Sequence, residues 1–327
     1  MTLASIVVPA FNVSATLAET LTALRAQTYE NYEIIVVDDG SSDDTIRIAK
    51  SFGGDPRLRI IQQPNRGLAG ARNSGIAAAK GDYIGFCDAD DLWEPTKLAA
   101  HVAHLNECID VGVSYAGSRL MHDDGRPMSQ AQRPLLHGVS AAHILKRNPI
   151  GNGSAPVIRR AVFDDIAYRP KHETERDWYF DETFRQSEDI ECWLRMALTT
   201  DWTFEGVEGL LTRYRINRGG LSAGTDKQLA AWERMIEKLT PLTPEFFAEN
   251  ANLARAYQHR YLCRRAISDF DISKAKYWAD AWLKTSKRTF LEEPRKSIET
   301  YAALQIMRMI GAGTLRGLAA MRTGHAA

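Results

Sequence analysis

Three groups of acidic residues in this sequence have the types and spacing to do chemistry. Asp38-Asp39-Gly40-Ser41 closes the β-branched run 33–37, and Asp88-Ala89-Asp90-Asp91 closes Tyr83-Ile84-Gly85-Phe86-Cys87. Unpaired carboxylates gathered on one edge of a sheet are costly to desolvate unless a cation or a donor sits between them. Carboxylate oxygens with positions left for water and phosphate suit a hard cation, Mg²⁺ or Mn²⁺. The plainer reading is that such pairs cap helices or make turns, and it is preferred for Asp43 and Asp44. The third group, Glu188-Asp189, opens a helical pattern whose apolar face is Ile190, Trp193, Leu194 and Ala197. Its carboxylates can point into a cleft or simply complement the helix dipole.

These groups need elements to position them. The first 120 residues alternate short β-branched strands with helical patterns, an α/β rhythm. Strands are expected at Ile6-Val7-Val8 and over 33–37, 59–62, 82–87 and 111–115, with helices over 15–27, 44–51, 68–79 and 94–106. The intervening lengths suit helical crossovers and so mostly parallel pairing. From 120 to 153 the pattern loosens into expected loops with a short helix over 140–146. A strand over 155–158, a helix over 188–198 and a strand over 210–215 complete the expected sheet. Beyond Gly224 the spacing is helical, and Leu253, Tyr257, Tyr261, Trp278 and Trp282 read as helix-to-helix packing. In an open parallel sheet, ligands bind beyond the carboxyl ends of the strands. Here those ends are Pro9-Ala10-Phe11-Asn12, Asp38 to Ser41, Pro64-Asn65-Arg66-Gly67 and Asp88 to Asp91.

Taken in order, Val8 to Asn12, Gln27-Thr28-Tyr29, Val37 to Thr45, Gly67 to Gly75, Asp88-Ala89-Asp90, Phe180-Asp181-Glu182, Ser187-Glu188-Asp189 and Tyr214-Arg215 resemble the inverting glycosyltransferases of family two. The resemblance covers roughly the first 225 residues and rests on the ordered set rather than on one motif. It implies a GT-A fold, a Rossmann-like, mostly parallel mixed sheet flanked by helices. The expected organisation is a catalytic domain over 1–224, divided into a nucleotide-sugar half (1–120) and an acceptor half (121–224), with a helical appendage over 225–327.

The resemblance also implies roles. Asp39 would accept a hydrogen bond from the nucleotide base, Pro9 and Asn12 would line the nucleotide pocket, and Arg72 would approach the nucleotide. Phe11, Asn65, Gly67 and Ala89 complete that set, and Arg215 lies where the diphosphate would be met. Asp90 would bind the Mn²⁺ or Mg²⁺ directly, with Asp88 on the ribose or in the metal shell. Asp189 would be the general base, its pKa raised by desolvation. The implied donor is a nucleotide-diphosphate sugar, with uridine favoured, and the implied acceptor is a glycan, lipid-linked or polysaccharide hydroxyl. Two features depart from the pattern. Asn217 stands where many relatives carry histidine, leaving Arg213, Arg215 and Arg218 as the positive charge before a closing segment at Leu221-Ser222. The charged stretch 169–177 reads either as an acceptor loop or as an exposed insertion.

Composition excludes other classes. With 41 basic and 41 acidic residues there is no overall field to gather nucleic acid. The balance is uneven, since residues 251–327 hold 14 Lys or Arg against 6 Asp or Glu. That basic tail reads as solvated helix faces or as a peripheral contact with anionic lipid. No secretory signal or membrane-spanning run is visible, and the stretch 301–321 is broken by Arg308 and Arg316. The expected location is the cytoplasm, with the tail at the inner face of the membrane. Cys87, Cys108, Cys192 and Cys263 form no paired spacing suited to zinc, and His101 and His104, lacking a third ligand nearby, read as surface residues. A haloacid-dehalogenase-like phosphatase fits poorly, because Leu92 follows the acidic motif and the motif closes the fourth strand rather than the first. A nucleotidyltransferase would need a glycine-rich basic loop near the N-terminus, which is missing. The remaining rival is a sugar-nucleotide-binding scaffold without catalysis.

Overall fold

The computed structural model describes residues 2–216 and 225–316. The chain divides into two compact units, one formed by the residues to Ile144 with Asn148–Met235, the other by Leu145–Arg147 with the residues from Ile236 onward.

The first unit opens as the α/β rhythm predicts: β1 (Ala4–Ala10), α1 (Leu17–Arg25), β2 (Tyr32–Asp38), α2 (Thr45–Ser51), β3 (Leu58–Gln62), α3 (Gly67–Ala78), β4 (Tyr83–Phe86), β5 (Leu92–Trp93), α4 (Lys97–Glu107) and β6 (Val111–Met121). It continues with β7 (Pro127–Gln132), α5 (Ala141–Lys146), β8 (Val157–Arg159), α6 (Arg160–Ile166), α7 (Glu188–Thr199) and β9 (Thr203–Arg215). The strands form one sheet in the order β3-β2-β1-β4-β8-β6-β9-β5, with β7 paired to β6. Pairing is parallel among β3, β2, β1 and β4, and again between β6 and β9; β8, β7 and β5 pair antiparallel. Every residue of β1 is buried, because helices cover both faces of a parallel sheet.

Strand order reverses at β1, whose neighbours are β2 on one side and β4 on the other. A crevice opens at such a point beyond the carboxyl ends of the strands. The register sets what lines it: Ala10 lies opposite Asp38, and Val7 opposite Phe86. Asn12, Asp39 and Asp88, each just past its strand, therefore emerge on one edge. Gly75 is what lets α3 lie close on β1, since a Cβ there would fall 2.2 Å from Val7 Cγ1.

Several parts of this unit differ from expectation: β5 and α6 are not among the expected elements, and β6 runs on to Met121 rather than ending at 115. Residues 127–132, expected in a loop, are strand β7; its polar sequence PMSQAQ serves an edge strand that covers little apolar surface, so no alternation marks it. Strand β9 begins at Thr203 rather than 210, because Gly206 and Gly209 sit at register shifts against β6 and interrupt the β-branched pattern. His101, expected at the surface, is fully buried with Nδ1 2.8 Å from Ser114 Oγ.

Helix α8 (Thr225–Leu239) leads into the second unit, which contains α9 (Pro244–Ser268), α10 (Ile272–Thr285), α11 (Thr289–Glu292) and α12 (Pro294–Ile310). Asp271 caps α10 by accepting from Lys274 N at 3.0 Å. Trp282 is buried, stacks on Phe290 and donates Nε1–H to Thr289 Oγ1 at 2.7 Å. Leu253, Tyr257 and Trp282 pack as expected and Trp278 packs against the α9, α10 and α12 core, but Tyr261 is 44% exposed and faces away from it. No helix among the described residues is long and apolar enough to cross a membrane.

Replacing Gly75 with alanine should cost about 1–3 kcal/mol, the usual range for overpacking. Urea unfolding measures it, and an unchanged midpoint would refute the close approach of α3 to β1.

Candidate active site

The site is built outward from the end of β4. After Phe86 the chain turns tightly, with Asp91 N donating to Asp88 O at 3.0 Å. The last acid of the cluster is the internal one: Asp91 is fully buried, accepting from Ser154 Oγ at 2.6 Å and from Arg215 N at 2.9 Å. Burial pushes its carboxyl well above the usual range, and the charges of Asp90 and Asp88 add to the effect. Asp88 and Asp90 are each partly exposed, and between them Ala89 is buried, its carbonyl taking Thr16 Oγ1 at 2.9 Å. Ser154 also receives Asp88 N at 2.9 Å, so one hydroxyl fixes both ends of the acidic turn.

Arg72, from α3, crosses beneath this turn. It is 2% exposed and lies over the rings of Phe86 and Phe180. Its Nη2 donates to Asp88 Oδ1 at 3.1 Å and its Nη1 to Glu188 Oε1 at 2.8 Å. A guanidinium in so dry a place needs carboxylates, and Arg72 holds two acids of the site together. The approach needs Gly153, where a Cβ would stand 2.2 Å from Arg72 Nη2.

Glu188 and Asp189 open α7 behind Ser187, whose φ of 60° is left-handed. Asn12 has φ 53°, so two of the three non-glycine residues with positive φ among those described lie at this site. Strained backbone of this kind persists where surrounding contacts over-determine it. Asp189 Oδ1 accepts from Ile190 N at 2.8 Å and Oδ2 from Asn148 Nδ2 at 3.1 Å. Desolvation raises the Asp189 pKa, although nearby Arg72 works against it. Burial likewise raises Glu188, to about 7.

On the other side of β1, Asp39 is buried, and its carboxylate holds the start of α3. Oδ1 accepts from Arg66 N at 2.8 Å and Gln63 Nε2 at 2.6 Å, and Oδ2 from Gly67 N at 2.8 Å. Asn12 Oδ1 accepts from Ser42 N at 2.8 Å while its own N–H donates to Ser41 Oγ at 3.0 Å, tying the ends of β1 and β2 together. Phe11 is 48% exposed just beyond β1, and Asn65 is exposed beyond β3. Pro9 is buried within β1 opposite Val37. Asp43 makes a turn, accepting from Ser14 N and Thr45 N, both at 3.0 Å.

Arg215, expected at the diphosphate, donates to protein acceptors in this structure. Its Nε donates to Asp90 O at 2.8 Å, Nη1 to Asp123 O at 2.7 Å and Nη2 to Glu19 Oε2 at 2.7 Å. Only 5% exposed, it buttresses the acidic turn from below, because a buried guanidinium collects whatever acceptors surround it. Arg213 pairs with Glu94 at 2.7 Å. Asn217, Arg218, Leu221 and Ser222 lie outside the described residues. The charged stretch 169–177 matches neither reading in full. Glu173 is buried against Arg66 and Trp178, and Arg176 reaches Glu182 Oε1 at 2.6 Å and Gly70 O at 3.0 Å, so the segment is fastened to the first turns of α3. Asn148, Ser154 and Asp91 were not singled out from sequence as site residues. An isolated Asn or Ser in a loop carries no pattern, and Asp91 stands in the sequence only as the last residue of its acidic group.

A reversing, mostly parallel sheet with acids at its carboxyl edge and a further carboxylate at the start of α7 is an arrangement of the GT-A fold class. Comparison with known proteins gives the family. Residues 5–167 match the family described as Glycosyl transferase family 2, and the chain belongs to that family. An Escherichia coli relative, UDP-Glc:alpha-D-GlcNAc-diphosphoundecaprenol beta-1,3-glucosyltransferase WfaP, is 38% identical over 123 residues, 38% of this chain and 49% of that protein. The chain spans 26% to 49% of the length of five curated relatives. Among solved structures, S. aureus TarS 1–349 with UDP-GlcNAc superposes with a TM-score of 0.58 at 18% identity, over 94% of this chain and 91% of that one. The mannosyltransferase PcManGT of Pyrobaculum calidifontis, with GDP-Man and Mn²⁺, gives 0.54 at 18% identity, over 94% and 87%. At such identities the likeness shows the fold.

Breaking the buried Arg72–Glu188 pair by Arg72→Met should destabilise the protein by about 3–5 kcal/mol, because it strands a desolvated carboxylate. Denaturant titration measures the loss; one below about 1 kcal/mol would mean that Glu188 is already neutral without its partner.

Proposed function

We propose that the chain moves a sugar from a nucleotide-diphosphate sugar, UDP-linked, to a hydroxyl of a glycan, lipid-linked or polysaccharide acceptor, inverting the anomeric carbon in one displacement. The observation that carries this reading is Asp189. It stands at the start of α7 with Oδ2 held by Asn148, and Arg72 links the neighbouring Glu188 to Asp88 at the opposite side of the site. A carboxylate with a raised pKa, fixed by an amide and partly open, is suited to take the proton of an acceptor hydroxyl as that oxygen attacks. Glu188, paired with Arg72, orients that helix start rather than sharing the proton.

Asp39, Asn12, Phe11, Asn65, Gly67 and Ala89 are assigned to the nucleotide sugar, with Asp39 positioning α3 as well as facing the base. A divalent cation, Mn²⁺ or Mg²⁺, is implied by the family and is named with the donor in the P. calidifontis structure. The residues fit one. Asp88 and Asp90 are partly exposed carboxylates at the end of β4, the hard oxygen donors that such a cation takes. Asp90 with Asp88 would hold the cation, which when bound offsets the charge developing on the diphosphate. The E. coli relative's lipid-linked acceptor supports an acceptor of that class here. The proposed location is the cytoplasm, with the basic C-terminal helices against the inner face of the membrane.

Asp189→Asn should retain UDP-sugar binding and lower turnover by about 10² or more, the usual worth of a general base. Asp189 serves as base only when ionised, so wild-type kcat/KM should fall as pH drops through a value above the ~3.9 of a free Asp. Turnover that survives the substitution would leave the base elsewhere, and a variant that also loses donor binding would make Asp189 a binding residue. For the cation, Asp90→Ala should abolish Mn²⁺-dependent binding of UDP-GlcNAc measured by calorimetry. Equal wild-type affinity with and without a chelator would overturn the metal assignment.

A further inference from the structure

Away from the acidic turn, a second set of ligating side chains meets where α4 packs on the sheet. His104 lies in the last turn of α4 and Cys108 caps its end, four residues on, with its N–H on the His104 carbonyl, so the two lie near each other at that end of the helix. Ser114 on β6 and Glu205 on β9 are register partners and therefore point to the same face of the sheet. The chain folds α4 onto that face. His104 Nδ1 lies 2.8 Å from Ser114 Oγ, and His104 Nε2 lies 3.5 Å from Glu205 Oε2. One ligand atom from each of His104, Cys108 and Glu205 lies within 4.8 Å of the others. From the segment after β7, His137 Nδ1 comes within 3.6 Å of the same Glu205 oxygen.

We propose that His104, Cys108 and Glu205 form a zinc site, with His137 or a water as the fourth ligand. The donor set is the first reason: imidazole, thiolate and carboxylate together suit Zn²⁺ rather than the harder Mg²⁺ or Mn²⁺. The spacing is the second. At 3.5 Å the His104–Glu205 separation exceeds a good N–H···O hydrogen bond, yet it is close to the edge, roughly 3.3 Å, of a tetrahedron with metal bonds of about 2.0 Å. The third reason is the support behind His104. A ligating histidine donates its other ring N–H to a neighbour that fixes the ring, and Ser114 Oγ is placed to accept it.

That hydroxyl also meets His101 Nδ1 at 2.8 Å, and it has one proton to give. A metal on His104 Nε2 settles the direction: His104 Nδ1–H donates to Ser114, and the Ser114 O–H turns to His101. Burial holds His101 neutral, which suits it to accept. Binding would release the Cys108 thiol proton to solvent. The ion would then tie α4, β6 and β9 together on the side of the sheet that those residues share, apart from the acidic turn.

The test uses the full chain, stripped with a chelator and titrated with Co²⁺, then Zn²⁺. One equivalent of Co²⁺ should bring a thiolate-to-cobalt charge-transfer band in the near ultraviolet with four-coordinate visible bands, and Zn²⁺ should bleach both. Oxygen ligands at Asp88 and Asp90 would give no thiolate band, so the two sites are told apart. Cys108→Ser should remove the band. Glu205→Gln, at a partly exposed side chain that should not disturb folding, should weaken Zn²⁺ affinity about tenfold or more. Zn²⁺ should raise the wild-type melting temperature, and Mg²⁺ should not. No thiolate band, a band that survives Cys108→Ser, or full affinity in Glu205→Gln would each overturn the site.

Discussion

Desolvated negative charge is the constraint on which this molecule depends, and Arg72 is its main counterweight. Asp88, Asp91, Glu188 and Asp189 crowd one edge of the sheet, and burial raises the pKa of Asp91, Glu188 and Asp189. A cation in water would do little to relieve this. Arg72 is stripped of water by Phe86 and Phe180 and set between two of the acids, where a charge pair is far stronger. Its Nε is buried without a partner, a cost accepted because both terminal nitrogens face carboxylates.

This bridge joins parts of the chain that are distant in sequence. Arg72 sits on α3, Asp88 follows β4 and Glu188 opens α7, so the donor edge and the helix that carries the candidate base are tied through one side chain. Arg215 does the same from β9, by holding the Asp90 carbonyl and reaching Glu19 on α1. Asp39 does it a third time, by drawing the first amides of α3 to the end of β2. Residues that would be read as ligand contacts thus also carry the architecture that presents the ligand contacts. Substitutions at them will mix stability with activity, whereas those at Asp189 and Asp90 test the proposed base and cation roles directly.

Much of this was legible in advance. The strands β1 to β4 and the helices between them follow from β-branched runs and 3.6-residue periodicity, and the acidic ends of the strands follow from the rule that ligands gather there. The edge strand β7 and the early part of β9 were not legible, because polar residues and glycines at a register shift leave no alternation to read. Buried His101 was misjudged for a related reason. A histidine satisfied by one serine across a helix–sheet contact looks, in sequence, like any polar residue on a helix.

Local periodicity and an ordered set of short motifs are enough to give the fold class, the family and the candidate carboxylates. How those carboxylates differ follows from contacts made across the folded chain. Asp91 became internal through Ser154 and Arg215, Asp88 became the partner of Arg72, and Asp189 acquired Asn148. The same holds for His104, Cys108 and Glu205, which meet only because α4 lies across β6 and β9. Burial and partnership set what an ionisable group does, and both are properties of contacts between residues far apart in the chain.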